Sequence, residues 1–242
     1  MPVWVENIIS QFNRAFIVDD RWHYMLEGLW NTLVITFFAL LLGTTIGIVI
    51  ATVRSSWDKL SPQMKKGPLR VFLGIADRIC RIYLTVIRGT PVVVQIMIIF
   101  FVIMVSSRNK MLCAVIAFGI NSGAYAAEII RGGIMSVDTG QTEAGRSLGF
   151  SYVETMMYIV LPQAFKNILP ALANEFIVLL KETAIAGYVG VTDLARGAAI
   201  IRGITYQGFF PLISVALIYL LMVMFFTWLI GKLERRLRSS DN

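Results

Sequence analysis

This sequence predicts an all-α membrane protein: five transmembrane helices behind an N-terminal interfacial helix, with the N-terminus outside and the C-terminus in the cytoplasm. Three observations carry that reading. The 242 residues are 57% hydrophobic, with a mean hydropathy of +0.71, above what a soluble domain usually carries. Apolar stretches of about 20 residues, the length a bilayer requires, recur along the chain. Lysine and arginine collect in alternate connections between them, which is how membrane orientation is encoded. The length suits several spans with short connections rather than a membrane domain joined to a large soluble one.

Residues 1–27 lack the basic start, apolar run and small-residue cleavage site of a secretory signal. Trp4, Ile8, Phe12 and Phe16 recur at helical spacing, so this segment is expected to lie as an amphipathic helix in the membrane interface until Asp19 and Asp20 break the pattern. The membrane domain is expected over 28–231. Its first span runs near 29–53, where Gly43 and Gly47, four apart, offer a surface for close helix packing. Asn31, Thr32 and Thr36 read as polar groups that hydrogen-bond to neighbouring helices, with ligand contact as the alternative. Residues 54–81 read as a long basic connection holding Arg54, Lys59, Lys65, Lys66, Arg70, Arg78 and Arg81, with 71–82 apolar enough to be partly helical. Attraction to anionic headgroups is its default role.

The second span is expected near 83–105. Arg88-Gly89-Thr90-Pro91 interrupts its early part, because Pro91 has no N–H and frees carbonyls. The third runs near 111–130, after a short turn at 106–110. The fourth runs near 170–187 with Lys181-Glu182-Thr183 near its middle, and the fifth near 212–230. Residues 188–211 between these two form a polar loop with a short helix from Thr192, and 232–242 form a basic tail. Fourteen Lys and Arg in 54–81, 131–167 and the tail face six on the other side (Arg14, Arg21, Arg108, Lys110, Arg196, Arg202), which puts the C-terminus in the cytoplasm. That placement also argues against nucleic acid as the reason for the +7 charge. Cys80 and Cys113 are isolated and read as small buried hydrophobes, not as a disulfide or metal pair. His23 reads as an interfacial or surface residue, and no metal site is expected.

One segment stands apart. Glu143-Ala144-Gly145-Arg146-Ser147-Leu148-Gly149 is charged and helix-prone, in a connection too short to be a domain. Ala144 and Leu148 share a helical face, and Glu143 and Arg146, three apart, can pair. Gly149 is a natural stop, and Ser151 with Glu154 forms a capping box that starts the next helix. The expected product is a short surface helix near 139–150 followed by a sharp turn, a shape that docks into a groove on a partner.

Glu143-Ala144-Gly145, then Gly149, then Leu161-Pro162 resembles the EAA loop of permease subunits of bacterial ABC importers of the type I fold. Arg88-Gly89-Thr90-Pro91 with Gln95, Ala124-Tyr125-x-Ala127-Glu128-x-x-Arg131-Gly132-Gly133, and Gly140-Gln141-x-Glu143-Ala144 are similar to the polar amino acid branch. The resemblance covers roughly residues 28–231. It implies a multi-pass permease of the bacterial inner membrane, working with two copies of an ABC-type ATPase, a second copy of itself or a homologous permease, and an extracytoplasmic amino-acid-binding protein. Glu143, Ala144, Gly145, Arg146, Leu148 and Gly149 would couple to the ATPase. No cofactor is expected in this chain, with ATP and Mg on the partner. The chain is not expected to be an enzyme, and it has no GxxxxGK[ST] loop, HExxH, paired Cys/His cluster or GxSxG.

Charges within spans are costly, roughly 2.5–3.5 kcal/mol each on insertion scales. A zwitterionic amino acid gives one reason for them, since basic and acidic groups together hold its carboxylate and ammonium. Arg88, Lys181, Glu128 and Glu182 supply that set, with Gln95, Asn121, Ser122, Tyr125 and Thr183 adding hydrogen-bonding groups. The alternative is structural: Glu128 pairs with Arg131, and Arg88 caps freed carbonyls. The family triplet often continues Ser-Leu, whereas Ala184-Ile185 follow here and remove one hydroxyl. An ion-coupled secondary transporter is the competing function. It would show internal repeats with matching broken helices, and the halves of this chain show no convincing self-similarity. A membrane scaffold or sensor does not need polar residues at membrane depth.

Overall fold

The computed structural model describes residues 2–62 and 64–238. Met1, Gln63 and residues 239–242, which end the expected basic tail, lie outside the described residues. The helices are α1 (Val3–Phe12), α2 (Trp22–Leu60), α3 (Pro68–Gly89), α4 (Val92–Ile98), α5 (Lys110–Met135), α6 (Thr139–Ser147), α7 (Tyr152–Thr155), α8 (Leu161–Glu182), α9 (Leu194–Thr205) and α10 (Phe209–Arg238). Short 3-10 or π turns extend several of them, and there is no strand among the described residues. The chain divides into two compact units, one of Met1–Ala39, Val93–Phe118 and Ile177–Trp228, the other of Leu40–Val92, Gly119–Phe176 and Leu229–Asn242.

Among the described residues, three helices, α2, α5 and α10, are long and apolar enough to cross a membrane, and the α3–α4 pair, bent by 110°, makes a fourth candidate span. This corrects the expected spans in three places. The connection expected over 54–81 is mostly helix: α2 continues to Leu60 and α3 starts at Pro68. Arg54 and Asp77 enter these helices because each finds a counter-charge there (below). The second span is sharply bent, since Pro91 forces Thr90 out of the helical region to φ −119° and ψ 145°. Thr90 Oγ1 donates to the Val86 carbonyl (2.8 Å) on the last turn before the bend. The expected fourth span, 170–187, is instead α8 followed by a 3-10 turn over Thr183–Val189. Lys166, Glu175, Lys181 and Glu182 dilute α8, and Lys181-Glu182-Thr183 stand at its end rather than at mid-span.

In the first unit, Phe16 and Ala15 are buried with Met25, Leu194, Ala198 and Ile201. Phe16 therefore leaves the interfacial face that Trp4, Ile8 and Phe12 keep, these three being exposed. Asp19 and Asp20, at φ 55° and 52°, end the segment in the left-handed region that Asp tolerates. The start of α9 docks on α2 through backbone. Thr32 Oγ1 accepts the Leu194 N–H (3.1 Å), and Asn31 Nδ2 donates to the Thr192 carbonyl (2.8 Å). Both bonds satisfy groups that lipid could not. Thr36 Oγ1 donates to the Thr32 carbonyl (2.7 Å). A Cβ at Gly28 would sit 2.5 Å from the Asp193 carbonyl oxygen, so only glycine permits this approach.

In the second unit α2 and α5 meet through small residues. Cβ atoms placed on Gly43 and Gly47 would lie 3.0 Å from Gly123 N and 2.7 Å from Ala126 Cβ. Close backbone approach replaces the hydrophobic drive that is absent between helices in lipid. Ile50, Leu84, Ala124 and Ala127 close the core beside it.

Gly28→Val should lower the apparent melting temperature of the detergent-extracted protein by several degrees, an overpacking cost of about 1–3 kcal/mol. Gly231→Ala, where a Cβ meets nothing within 4 Å, should leave it unchanged or raise it. Coincident melting curves for wild type and Gly28→Val would show that the α2–α9 approach does not need glycine.

Candidate functional site

Three helices of the second unit bring charges together at helical spacing. Arg54 and Asp58 are four apart on α2, Asp77 and Arg81 four apart on α3, and Glu128 and Arg131 three apart on α5. Arg54 Nη1 donates to Glu128 Oε1 (2.9 Å), and its Nε lies 3.6 Å from Asp77 Oδ1. Arg81 Nε reaches Asp77 Oδ2 at 2.7 Å. Arg131 lies 3.4 Å from Glu128 Oε2 and 3.6 Å from Asp58 Oδ2. Asp77 is 4% exposed, and two guanidiniums face it. Removing one partner of a buried pair typically costs about 3–5 kcal/mol, whereas the intact pair barely offsets its desolvation. The network therefore sets the register of α2, α3 and α5 more than it adds stability.

Arg54, Arg81, Leu84, Thr85, Arg88 and Glu128 line a cavity of about 330 Å³. Arg54 and Arg81 are already paired with Glu128 and Asp77, which leaves Arg88 as the lining cation with no ion pair among the described residues. Arg88, exposed on the last turn of α3, holds its guanidinium carbon 5.7 Å from the Tyr125 ring centroid, within cation–π range.

Of the residues expected at a solute site, Arg88, Asn121, Ser122, Tyr125 and Glu128 fall in this unit. Glu128 is engaged twice, by Arg54 as well as by the anticipated Arg131. Ser122 is fully buried and donates to Glu175 Oε1 (3.0 Å), and Asn121 is buried beside it in sequence. Gln95, Lys181, Glu182 and Thr183 belong to the other unit. There Gln95 is buried, Lys181 exposed, Glu182 half-buried, and Thr183 buried with its hydroxyl on the Leu180 carbonyl (2.8 Å). Sequence reasoning missed Asp58, Asp77 and Glu175 and placed Arg54 in a loop. The i,i+4 charge spacings were the available signal, and for Glu175 it was a carboxylate inside an apolar run. Among the described residues no group of His, Cys, Asp and Glu could hold a metal ion.

The second functional element is α6. The Asp138 side chain accepts the Gly140 N–H (2.6 Å) at its start. At its end Gly149, at φ +90°, makes the left-handed turn, with Phe150 N–H on the Gly145 carbonyl (3.1 Å) and Gly149 N–H on the Arg146 carbonyl (3.0 Å). These are the two bonds of a Schellman stop. The Ser151–Glu154 capping box follows, and its hydrogen bonds hold the Glu154 carboxyl below its ordinary pKa. Gly145 turns inward, where a Cβ would meet Ile159 Cδ1 at 2.7 Å. It seats α6 on the chain's own π turn at Met156–Val160 rather than facing a partner. Ala144 and Leu148 remain exposed on one face, Leu148 at 77%. Glu143 and Arg146 are exposed and form no ion pair with each other among the described residues.

Comparison with known proteins places this arrangement. Residues 67–239 match the family described as "Binding-protein-dependent transport system inner membrane component". The chain is 39% identical over 221 residues to the arginine transport system permease protein ArtQ of Bacillus subtilis, covering 90% of this chain and 94% of that one. It is 35% identical over 220 residues to the glutamine transport system permease protein GlnP of Escherichia coli K12, covering 88% and 93%. The crystal structure of an amino acid ABC transporter with histidines superposes with a TM-score of 0.78 at 41% identity, covering 91% of this chain and 98% of that one. An inward-facing MetNI methionine ABC transporter shares the fold, with a TM-score of 0.73 at 19% identity and coverage of 88% and 95%. The chain thus belongs to the inner membrane components of binding-protein-dependent transport systems, as the non-catalytic, multi-pass permease subunit of an ABC-type amino-acid importer whose ATP hydrolysis resides on a separate chain.

Proposed function

We propose that this permease forms half of a pathway for polar amino acids and is driven through α6 by a pair of cytoplasmic ATPases. The observation that carries this reading is the exposed Ala144–Leu148 face on a helix held rigid at both ends. A stiff rod seated through Gly145 on the segment leading into α8 transmits displacement, whereas a frayed one would absorb it. The arginine and glutamine permeases among its relatives support a polar amino acid as the solute. A second copy or a homologous permease completes the pathway, and an extracytoplasmic binding protein delivers the solute.

In this reading Arg88 receives the carboxylate at the mouth of the arginine-lined cavity, with Tyr125 holding the guanidinium in place. Gln95, Lys181, Glu182 and Thr183 are the candidate contacts of the other unit. α8 brings the number of spans to five: its 22 residues rise about 33 Å, enough for a hydrocarbon core of about 30 Å, and Glu175 is satisfied there by Ser122. Five spans put the termini on opposite sides. The lysine and arginine excess puts α6 and the C-terminus in the cytoplasm.

Three outcomes are expected. Arg88→Gln should raise the KM for amino-acid uptake about tenfold or more, as loss of a charged hydrogen bond does, while the complex purifies intact; an unchanged KM would remove Arg88 from the site. Leu148→Asp should abolish co-purification of the ATPase and the substrate stimulation of its hydrolysis. Full stimulation, or gradient-driven uptake by the chain without any ATPase, would overturn the coupling reading. With Cys80 and Cys113 replaced, a membrane-impermeant thiol reagent should label Val3→Cys in intact cells and Lys232→Cys only after lysis. The reverse pattern would invert the topology.

A further inference from the structure

A second cavity adjoins the arginine-lined one along α3, with Arg81 and Thr85 lining both. It measures about 590 Å³ and is lined by Trp57, Asp77, Arg78, Arg81, Ile82 and Val86 among others. Its depth follows from the ion pairs. Arg54 is the first charge after the apolar run of α2 and lies 3.6 Å from Asp77, so Asp77, Arg78 and Arg81 stand where α2 leaves the hydrocarbon. Trp57, one turn further out, is the aromatic that favours the headgroup level. Leu84, on the next turn of α3, packs with Ile50 of the apolar run. Ile82 and Val86 therefore flank the hydrocarbon end of the same cavity.

The charges are not balanced within the chain. Asp77 is held by Arg81 and Arg54, whereas Arg78 is exposed and has no ion pair among the described residues. From it toward the hydrocarbon end, Ile79, Ile82 and Val86 are exposed along α3 at three- and four-residue spacing. A cationic rim above an apolar wall, with an indole at the boundary, matches one amphiphile. The geometry points to a bound anionic phospholipid, its phosphate on Arg78 and Arg81 and an acyl chain along Ile82 and Val86. A free phosphate would use the arginines but not the wall, and a zwitterionic lipid would forgo the net positive charge. The site bridges α2 and α3 beside the ion-pair network, so its occupant would brace the hinge between those two helices. This inference rests on α2 crossing the membrane and not on the assignment of the solute site, so lipid counting and transport assays fail separately.

The test is native mass spectrometry of the permease with its co-purified subunits, released from nanodiscs of equal phosphatidylcholine and phosphatidylglycerol. The wild type should retain phosphatidylglycerol in preference to phosphatidylcholine. Arg78→Gln should cut that enrichment about fivefold, the share of one interfacial arginine, and Arg78→Lys should keep most of it. Arg108→Gln, the same charge change at an exposed position of the other unit, should leave it unchanged. Ile82→Gln, which alters no charge, should also lower it, and it carries the test should Arg78→Gln fail to accumulate. Wild-type enrichment in Arg78→Gln, an equal loss in Arg108→Gln, no loss in Ile82→Gln, or displacement of the lipid by excess inorganic phosphate would each overturn the proposal.

Discussion

Lipid offers no partner to a buried charge or to an open backbone group, and the rest of this structure follows from that constraint. Arg54 leaves the apolar run of α2 and meets Glu128 on α5 and Asp77 on α3. Each of those carboxylates is shared with a second arginine. These shared partners run from α2 to α3 and α5, so three helices are tied in one register. The same constraint acts on neutral groups: Thr32 accepts the Leu194 N–H, Asn31 holds the Thr192 carbonyl, and Ser122 meets Glu175. Such bonds add little net stability, but leaving their groups unsatisfied would consume a large part of the small margin by which a domain is stable.

Close approach of backbones is the second consequence. Between helices in lipid the attraction is van der Waals contact, which fades within an ångström of separation. Gly28 against Asp193 and Gly43 and Gly47 against α5 bring main chains to distances where a methyl group would collide. Gly145 uses the same device at the surface, seating α6 against Ile159 and Thr155. This leaves Ala144 and Leu148 outward. The Schellman turn at Gly149 and the capping box at Ser151 separate α6 from α7 without slack.

The break at Thr90-Pro91 shows how a local rule acquires a larger role. Proline removes one donor and pushes its predecessor into extended geometry, which is a property of two residues. Its outcome is a 110° bend that ends α3 at Gly89, with the Arg88 guanidinium beside Tyr125 and at the arginine-lined cavity. A continuous span there would have had no reason to expose a charge.

Sequence alone determined what depends on near neighbours and on the solvent. The apolar stretches demanded a bilayer. Gly149 and Ser151 announced where α6 stops and its successor starts, Pro91 the interruption of a span, and Gly43 and Gly47 a packing surface, because caps, prolines and helical periodicity act over four residues or fewer. The motif at 143–149 carried the family for the same reason. Tertiary structure alone decided which charges meet. Arg54 and Glu128 are 74 residues apart, and a run of basic residues after an apolar stretch reads as a loop until Asp77 and Glu128 are known to face it. Only packing showed that Gly145 turns inward, that Phe16 belongs to a core, and that Lys181 and Glu182 end a helix rather than sit within one. The energy of a buried charge lies in its partner, and the partner is chosen by the fold.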